Sequence, residues 1–369
     1  MEEHRFVISG GGTGGHIFPA VSIANAIKTL LPEAKILFVG AEGRMEMQRV
    51  PAAGYDIVGL PISGFDRKNL LRNANLPFKL IRSWIKAWRI LRQFRPQVAV
   101  GVGGYASYPT LKVASWLNIP TLIQEQNSFA GKANIALAKN AARCCVAFEG
   151  MERFFPADRI MLTGNPVRKQ MLETTLTREQ ALQSLGLSPA LKTILIVGGS
   201  LGARTLNESV LSHLQEIKES GIQFIWQTGK YYSESIQREL EVKGKPENLS
   251  VSDFITDMGT AYRAADLVIS RAGASSVSEF CLIGKPVIMV PSPNVTEDHQ
   301  TKNAMALVNK QAALMVKDTE AKEKLIGLAI QTAKDDDKLA SLSKNVLKLA
   351  LPDSAEIIAK EVIKLAKKQ

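Results

Sequence analysis

The residues best suited to do chemistry lie in a glycine-rich segment near the start of the chain, SGGGTGGH at 9–16. An apolar run at 6–8 precedes this segment, and an apolar-periodic stretch at 17–30 follows it. This order predicts a strand, a loop and a helix, which together present backbone N–H groups and a helix N-terminus to an anion, usually a phosphate. The glycines let the backbone approach a ligand without side chains in the way. His16 adds an imidazole at the end of the loop.

A second segment of the same design opens the other half of the chain. It reads GGSLGAR at 198–204, and it follows the apolar run TILIV at 193–197. Two phosphate-type loops, each opening its own half, indicate two facing domains with a charged ligand between them.

Four more polar or glycine-rich segments follow predicted strands: GVGGYAS at 101–107, QEQN at 124–127, SRAGASSVSE at 270–279 and EDHQ at 297–300. In open α/β sheets, ligands bind at the carboxyl ends of the strands, where such loops gather. Each segment also has a purely structural interpretation. These are a tight turn at 101–107, helix capping at 124–127, a first-turn glutamate at Glu279 and a solvated histidine at His299. The residues alone leave these alternatives open.

Strand-like runs alternate with helix-like segments along the whole chain, which predicts an α/β fold with parallel sheets covered by helices on both faces. We predict a first domain over 1–163, a second over 164–351 and a C-terminal helix over 352–369. The turn-rich segment GNPVR at 164–168 is the predicted hinge. The predicted strands are 5–9, 35–39, 55–60, 97–102, 120–124, 143–147, 160–163, 193–197, 223–227, 249–253, 267–270, 287–290 and 313–316.

Composition is that of an ordinary globular protein. The 369 residues are 46% hydrophobic and 22% charged, which suggests two domains of roughly 150 residues each. No apolar run approaches the roughly 18 residues that span a bilayer. The three cysteines show neither a disulfide framework nor zinc-ligand spacing, which favours a reducing compartment.

The formal net charge of +11 is compatible with nucleic acid, an anionic membrane or an anionic substrate. The stretch 67–95 holds many basic residues and no acidic one. Within it, 78–95 predicts a helix with an apolar face that includes Trp84 and Trp88. Such a face usually packs into a core, but two tryptophans beside a basic stripe favour a membrane-surface patch. The patch comprises Lys79, Arg82, Trp84, Lys86, Trp88 and Arg89.

Two other patterns are weaker. Gly10, Gly12 and Gly15 satisfy the G-x-G-x-x-G pattern of dinucleotide sites, but Glu42 lies rather far along for the acidic residue that binds the ribose. That interpretation also leaves 198–204 and His16 unexplained, so another phosphate ligand is favoured. The Asp-x-Asp at 335–337 resembles a metal–diphosphate motif, but its lysine-flanked surroundings predict a solvated helix and no metal.

Taken together, the motifs closely resemble the MurG family of bacterial cell-wall glycosyltransferases over essentially the whole chain. The resemblance implies a GT-B fold, in which two Rossmann-like domains with parallel sheets face each other across a cleft. It implies inverting, metal-independent transfer of N-acetylglucosamine (GlcNAc) from UDP-GlcNAc to the C4 hydroxyl of the muramyl residue of lipid I, giving a β-1,4 bond, lipid II and UDP, with no cofactor. It rests on the order and spacing of GGTGGH at 11–16, GGY at 103–105, EQN at 125–127, GNPVR at 164–168, GGS and GA at 198–203, Arg271 with GA at 273–274 and SE at 278–279, and DHQ and NA at 298–304.

The resemblance also implies roles for individual residues. The first domain takes the acceptor, and its acceptor-binding positions are Gly11, Gly12, Tyr105 and Asn134. Ile255 meets uracil through its backbone, Glu279 meets the ribose, and Gln300 meets the sugar hydroxyls. Family members often carry Gln-Gln where this chain has His299-Gln300, so the contact of His299 stays open. The donor-binding positions are Thr13, Gly14, Gly15, Asn127, Arg168, Ser200, Ile255, Ala274, Ser275, Ser276, Glu279 and Gln300.

His16 is the first candidate for the base that takes the hydroxyl proton, and Glu125 is the second. The alternative role of His16 is to hold the loop or the acceptor diphosphate. Helix N-termini after 198–200 and at 273–276, with Arg168, would supply positive character at the leaving diphosphate.

The resemblance further implies peripheral binding to the cytoplasmic face of the inner membrane through anionic lipids. Cell-wall and division machinery are expected partners, and nucleic acid is not. The alternative functions are a GT-B-like UDP-GlcNAc epimerase, a dinucleotide-dependent oxidoreductase, and a non-catalytic lipid- or nucleic-acid-binding protein.

Overall fold

The computed structural model describes residues 4–64, 74–167 and 174–367. The chain divides into an N-terminal unit, Met1–Val167 with Leu351–Gln369, and a C-terminal unit, Arg168–Ala350. The predicted domain boundaries, after 163 and after 351, lie a few residues from these points. Arg67, Lys68, Arg72 and Arg168 lie outside the described residues.

The N-terminal unit is a parallel sheet with helices on both faces. Its strands are β1 (Arg5–Ser9), β2 (Lys35–Ala41), β3 (Asp56–Leu60), β4 (Val98–Gly101), β5 (Thr121–Glu125), β6 (Arg143–Val146) and β7 (Ile160–Leu162). They are ordered β3-β2-β1-β4-β5-β6-β7. The helices are α1 (Gly14–Leu30), α2 (Glu46–Ala52), α3 (Leu76–Phe94), α4 (Ser107–Trp116) and α5 (Lys132–Ala138).

The core of this unit forms where the strands are apolar on both faces, as parallel sheets require. Phe6, Val7 and Ile8 of β1 are fully buried. α1 adds an apolar stripe at helical spacing that includes Ile23 and Ile27. The C-terminal helix Ser354–Ala366 packs against α1, and its residues Ile358, Ala359 and Val362 join the same apolar cluster.

The predicted hinge segment is anchored in the N-terminal unit up to residue 167. Asn165 accepts a hydrogen bond from Gln124 (3.0 Å) and donates one to the carbonyl of Gln126 (3.0 Å). Gly164 has a φ of +80°, and a Cβ there would lie 2.6 Å from the Leu351 Cβ. These contacts are why the boundary falls after Val167 and not before Gly164.

The C-terminal unit repeats the architecture. Its strands are β8 (Thr193–Val197), β9 (Gln223–Gln227), β10 (Leu249–Ser252), β11 (Leu267–Ser270), β12 (Val287–Met289) and β13 (Leu314–Met315). They are ordered β10-β9-β8-β11-β12-β13, all in parallel pairs. The helices are α6 (Arg178–Ser184), α7 (Arg204–Ser212), α8 (Leu214–Glu219), α9 (Ser233–Lys243), α10 (Met258–Ala264), α11 (Ala274–Ile283), α12 (His299–Val308), α13 (Asp318–Lys334) and α14 (Asp336–Leu347).

The strand order reverses direction at β1 in one sheet and at β8 in the other. In open parallel sheets, ligands bind at such switch points, beyond the carboxyl ends of the strands. Both glycine-rich loops leave the sheets at these two places, since they follow β1 and β8 directly.

The acidic run at 335–337 forms a helix start. The Asp335 side chain caps α14 by accepting a hydrogen bond from the Lys338 backbone N–H (2.8 Å), and Lys192 pairs with Asp336. Within the described ranges, no three His, Cys, Asp or Glu side chains cluster so as to hold a metal ion. Nor does any helix in those ranges have the length and apolarity needed to cross a membrane.

Candidate functional site

A pocket of about 650 Å³ opens in the C-terminal unit at the carboxyl edge of its sheet. This volume falls in the range of small-ligand sites. The glycine loop after β8, the starts of α7 and α11, and Gln300 of α12 line it. Of the predicted donor-binding residues, Ser276 and Gln300 are in the lining, and Ala274 and Ser275 open the same helix as Ser276.

The loop at 198–203 has a backbone that favours glycine at two positions, since Gly199 and Gly202 both have a positive φ. Gly202 has a φ of +84°, and a Cβ there would lie 2.1 Å from the Thr228 carbonyl oxygen. The loop therefore packs directly on the end of β9, with Ser200 exposed. α7 begins at Arg204 without a side-chain cap on its first turn, so its N-terminal N–H groups can bind an anion.

Gln227 connects this loop to the segment that holds Ile255. Its side chain is 4% exposed. Its Nε2 donates to the Gly199 carbonyl (2.9 Å), and its Oε1 accepts from the Ile255 backbone N–H (3.0 Å). One buried amide therefore sets the separation between the predicted phosphate loop and the predicted uracil contact.

We expect Gln227→Ala to weaken UDP binding by about tenfold, because two hydrogen bonds that shape the site are lost. Titration calorimetry with UDP measures this. Gln223→Ala is the matched control, since Gln223 is equally buried on the same strand but bonds to Ser188 and Thr193 at the opposite end of the sheet. Equal UDP affinity in the two variants would contradict the prediction.

Helices α11 and α12 carry two further predicted donor residues. Glu279 lies about one turn into α11 and accepts a hydrogen bond from the Tyr262 hydroxyl (3.4 Å). Burial raises the pKa of Tyr262 well above its usual value, and the Glu279 charge adds to the effect, so the phenol stays a donor. Gln300 is held by the Ser292 backbone N–H, which donates to its Oε1 (2.8 Å). His299 is the first residue of α12.

An arginine–aspartate pair in the pocket lining was not among the predicted site residues. Arg271 donates to the carbonyls of Val290 (3.0 Å) and Pro291 (3.3 Å), and it pairs with Asp318. The other Asp318 oxygen accepts from the Thr205 hydroxyl (3.0 Å). In the sequence, Arg271 stands out only as part of a motif, and the one signal for Asp318 is its place just after a predicted strand.

The glycine loop of the N-terminal unit leads directly to His16. Thr13 is the N-cap of α1 but makes no side-chain capping bond to its backbone. Its hydroxyl lies 3.2 Å from the His16 Nδ1. Because residue 103 is a glycine, the imidazole has room beside it: a Cβ there would lie 3.1 Å from the His16 Nε2. Gly14 and Gly15 form the first turn of α1.

The side chains of the segment 124–127 form an interior polar cluster. This decides against helix capping, the alternative that the residues alone leave open. Glu125 is 2% exposed. Its Oε1 accepts from the backbone N–H (3.0 Å) and side-chain amide (3.2 Å) of Asn127. Its Oε2 accepts from the Gly131 backbone (3.0 Å) and the Asn134 amide (2.8 Å). The buried Asn134 Oδ1 has no hydrogen-bond partner within the described ranges.

Tyr105 stands over the glycine loop. A Cβ on Gly12 would lie 3.3 Å from its ring. Burial raises the pKa of Tyr105, and the Glu46 charge adds to this while the Arg44 charge opposes it. Glu46, which directly contacts the loop, was not among the predicted residues. The predicted residues His16, Tyr105, Glu125 and Asn134 all lie in the N-terminal unit.

Comparison with known proteins gives two family matches. The glycosyltransferase family 28 N-terminal domain matches residues 6–146, and the family's C-terminal domain matches 193–358. A Bacteroides fragilis protein is 65% identical over 363 residues, which cover 98% of this chain and 96% of that protein. It is named UDP-N-acetylglucosamine–N-acetylmuramyl-(pentapeptide) pyrophosphoryl-undecaprenol N-acetylglucosamine transferase.

Solved structures agree on the fold. The crystal structure of Acinetobacter baumannii MurG matches with a TM-score of 0.81 and 29% identity, covering 98% of this chain and all of that one. A UDP-GlcNAc 2-epimerase from Neisseria meningitidis matches with a TM-score of 0.66 at 15% identity, over 98% of this chain and all of that one. At that identity the epimerase shows only that the fold is shared.

These matches confirm the predicted GT-B fold class, with parallel α/β sheets in both units. They also separate transferase from epimerase, because the family description and the high sequence identity belong to the transferases. The chain belongs to glycosyltransferase family 28 and, within it, to the MurG family of N-acetylglucosamine transferases.

Proposed function

We propose that this chain transfers GlcNAc from UDP-GlcNAc to the C4 hydroxyl of the muramyl residue of lipid I, with inversion, to give lipid II and UDP. The observation that carries the proposal is the 65% identity, over nearly the full length of both chains, to a transferase named for these substrates.

The donor binds in the C-terminal unit. The loop at 198–203 and the first turns of α7 and α11 hold the diphosphate, because their N–H groups and helix dipoles favour an anion and the negative charge that grows on the leaving group. Ser200, Ala274, Ser275 and Ser276 belong to this cradle. Ile255 meets the uracil, Glu279 the ribose and Gln300 the sugar. Arg168, Thr13, Gly14, Gly15 and Asn127 complete the donor set that the resemblance implies, and the four of these in the N-terminal unit, Thr13, Gly14, Gly15 and Asn127, would meet the transferred GlcNAc and not the UDP moiety.

The acceptor binds in the N-terminal unit. The Asn134 Oδ1 supports this: it is buried and has no hydrogen-bond partner in the part of the chain that the structure describes, and such an oxygen is suited to accept a hydrogen bond from a ligand hydroxyl. Tyr105, Gly11 and Gly12 lie along the same strand-end edge, after β4 and β1.

His16 is the better of the two candidate bases. A carboxylate offers about four lone-pair directions, and Glu125 already accepts four hydrogen bonds from Asn127, Gly131 and Asn134. No direction is left for the acceptor hydroxyl. Glu125 therefore positions the two asparagines, while the His16 imidazole is of the type that accepts a proton near neutral pH.

The test is transfer of radiolabelled GlcNAc from UDP-GlcNAc to a short-chain lipid I analogue with EDTA present. Labelled disaccharide–lipid product supports both the reaction and its independence from metal. Product that forms only after Mg²⁺ is added contradicts the metal-independent mechanism. No product in either condition, together with acceptor-independent epimerisation of UDP-GlcNAc, favours the epimerase.

We further propose that α3 binds the cytoplasmic surface of the membrane that holds lipid I. The buried residues of this helix are Ser83, Ala87 and Leu91, and only Leu91 among them is large. Four of its large apolar side chains are exposed, Phe78 (68%), Ile81 (50%), Ile85 (49%) and Trp88 (47%), whereas Leu80, Trp84, Ile90 and Phe94 are partly buried against the core. An exposed stripe of this kind supports membrane contact over a core-facing stripe.

Trp84 differs from the predicted patch. It is partly buried and stacks edge-on against Trp116 of α4, with ring centroids 5.4 Å apart. Trp116 is 55% exposed, and Lys112 lies over its ring. The proposed surface therefore extends from α3 onto α4, where it gains a tryptophan and a lysine that are not part of the predicted patch.

We expect reversal of Lys79, Arg82, Lys86 and Arg89 to glutamate to abolish most binding to anionic vesicles, since each basic residue near such a surface contributes about 1 kcal/mol. Vesicle co-sedimentation at two salt concentrations measures this. The control reverses four exposed lysines of the C-terminal unit, Lys334, Lys338, Lys344 and Lys348. The membrane proposal fails if both quadruple variants lose binding equally, or if neither does.

A further inference from the structure

Glu46 is a buried carboxylate whose two oxygens bind two different strand-end loops. The side chain belongs to the first residue of α2 and is 1% exposed. Its Oε1 accepts from the Ala41 backbone N–H at the end of β2 (3.0 Å). Its Oε2 accepts from the Gly12 backbone N–H in the loop after β1 (2.9 Å).

The neighbouring glycines leave the space that the Glu46 side chain occupies. A Cβ on Gly11 would lie 2.1 Å from the Glu46 Oε1, and a Cβ on Gly40 would lie 2.6 Å from its Cγ. On the other side of the loop, a Cβ on Gly104 would lie 2.4 Å from the Gly11 carbonyl oxygen. The loop is thus held between Glu46 and the turn after β4.

The direction of the Gly12 N–H determines whether the loop can donate this hydrogen bond to a ligand. This N–H points inward to Glu46 and is not available to a phosphate. The carboxylate charge directly behind Gly11 and Gly12 also repels an anion placed over them. The N-terminus of α1, which begins at Gly14, attracts one.

We infer that Glu46 is a positioning residue for the acceptor: it fixes the shape of the glycine loop, and its charge directs the acceptor diphosphate to the first turn of α1. This inference rests on the proposed function. It gives Gly11 and Gly12 the role of a surface without side chains along which the acceptor lies, and it leaves phosphate binding to the start of the helix.

Glu46→Gln tests the inference with little change in volume. Two N–H donors face the two oxygens, and a glutamine offers one oxygen and one NH₂ group. One donor must then face another donor, which disturbs the loop. We expect the KM for a short-chain lipid I analogue to rise by at least about tenfold, while the Kd for UDP stays within about twofold, since UDP binds in the other unit.

Two further variants keep the test decisive if Glu46→Gln folds poorly. Gly40→Ala displaces the Glu46 side chain without changing its charge, and Gly40 is not among the glycines with positive φ. Glu46→Asp keeps both acceptor oxygens on a shorter stem and should restore part of the acceptor affinity. Glu33→Gln, at an exposed position of the same unit, is the matched control.

An acceptor KM in Glu46→Gln and Gly40→Ala that matches the control overturns the inference. So does a parallel loss of acceptor and UDP binding with a lower melting temperature, which would show a purely structural role. Failure of the wild-type chain to transfer GlcNAc while it binds UDP would instead count against the proposed function, so the two failures are distinguishable.

Discussion

His16→Ala should lower kcat by about 10²–10⁴-fold while UDP affinity stays unchanged. This is the range that a general base supplies, and His16 lies in the N-terminal unit, whereas the proposed UDP site lies in the C-terminal unit. The wild-type rate should fall on the acid side, where an imidazole becomes protonated. That limb of the pH–rate profile should disappear in the variant, as steady-state kinetics with the lipid I analogue would show.

The alternative role of His16 predicts a different pattern. If the imidazole only binds the acceptor, KM for the acceptor rises and kcat changes little. His213→Ala is the control, because the His213 ring, near Ser209 at the end of α7, is in no predicted site. A kcat loss below about tenfold in His16→Ala, with the acid limb retained, would exclude His16 as the base.

Glu125→Ala should strongly destabilise the N-terminal unit. The substitution removes the acceptor of four hydrogen bonds from Asn127, Gly131 and Asn134 in a buried setting. Each buried donor left without a partner costs about 1–3 kcal/mol, so we expect a loss of about 3–5 kcal/mol in the free energy of unfolding. Urea denaturation measures this. Glu152→Ala, at an exposed position, should change stability by no more than about 0.5 kcal/mol.

The isosteric change Glu125→Gln separates positioning from proton transfer. A glutamine oxygen can still accept two of the four hydrogen bonds, so the variant should lose part of the stability and less than about tenfold in kcat. If Glu125 is instead the base, Glu125→Gln loses about 10²–10⁴-fold in kcat, with the same partial loss of stability. That second outcome would transfer the catalytic role from His16 to Glu125.

Much of the fold was readable from the sequence because parallel strands buried on both faces are continuous apolar runs. All the described strands correspond to predicted ones, and β1, β8, β9 and β11 match residue for residue. Strand ends were predicted less accurately. β13, for example, spans Leu314–Met315 where 313–316 is predicted, because the buried apolar run continues through Ala313 and Val316, on either side of the two residues that pair with β12.

The parts of the candidate site that glycine loops form could be predicted from the sequence. The parts that single polar side chains shape could not. The loops at 9–16 and 198–204 carry their own signal, since only glycine permits such backbone. Glu46 and Gln227 carry none, and Asp318 carries only its place after a predicted strand, because each acts by reaching a backbone group or a side chain distant in sequence. Trp116 was missed for the same reason, as its neighbour Trp84 comes from another helix.

The position of the C-terminal helix has a consequence for synthesis of the chain. Ile358, Ala359 and Val362 fill the same core as β1 and α1, so β1 and α1 are made long before the helix that completes their core. The C-terminal unit is continuous over Arg168–Ala350, so its whole sequence leaves the ribosome before residues 354–366 emerge. The core of the N-terminal unit is therefore completed after the whole C-terminal unit has been made, and the apolar surface that residues 354–366 cover stays uncovered until they emerge.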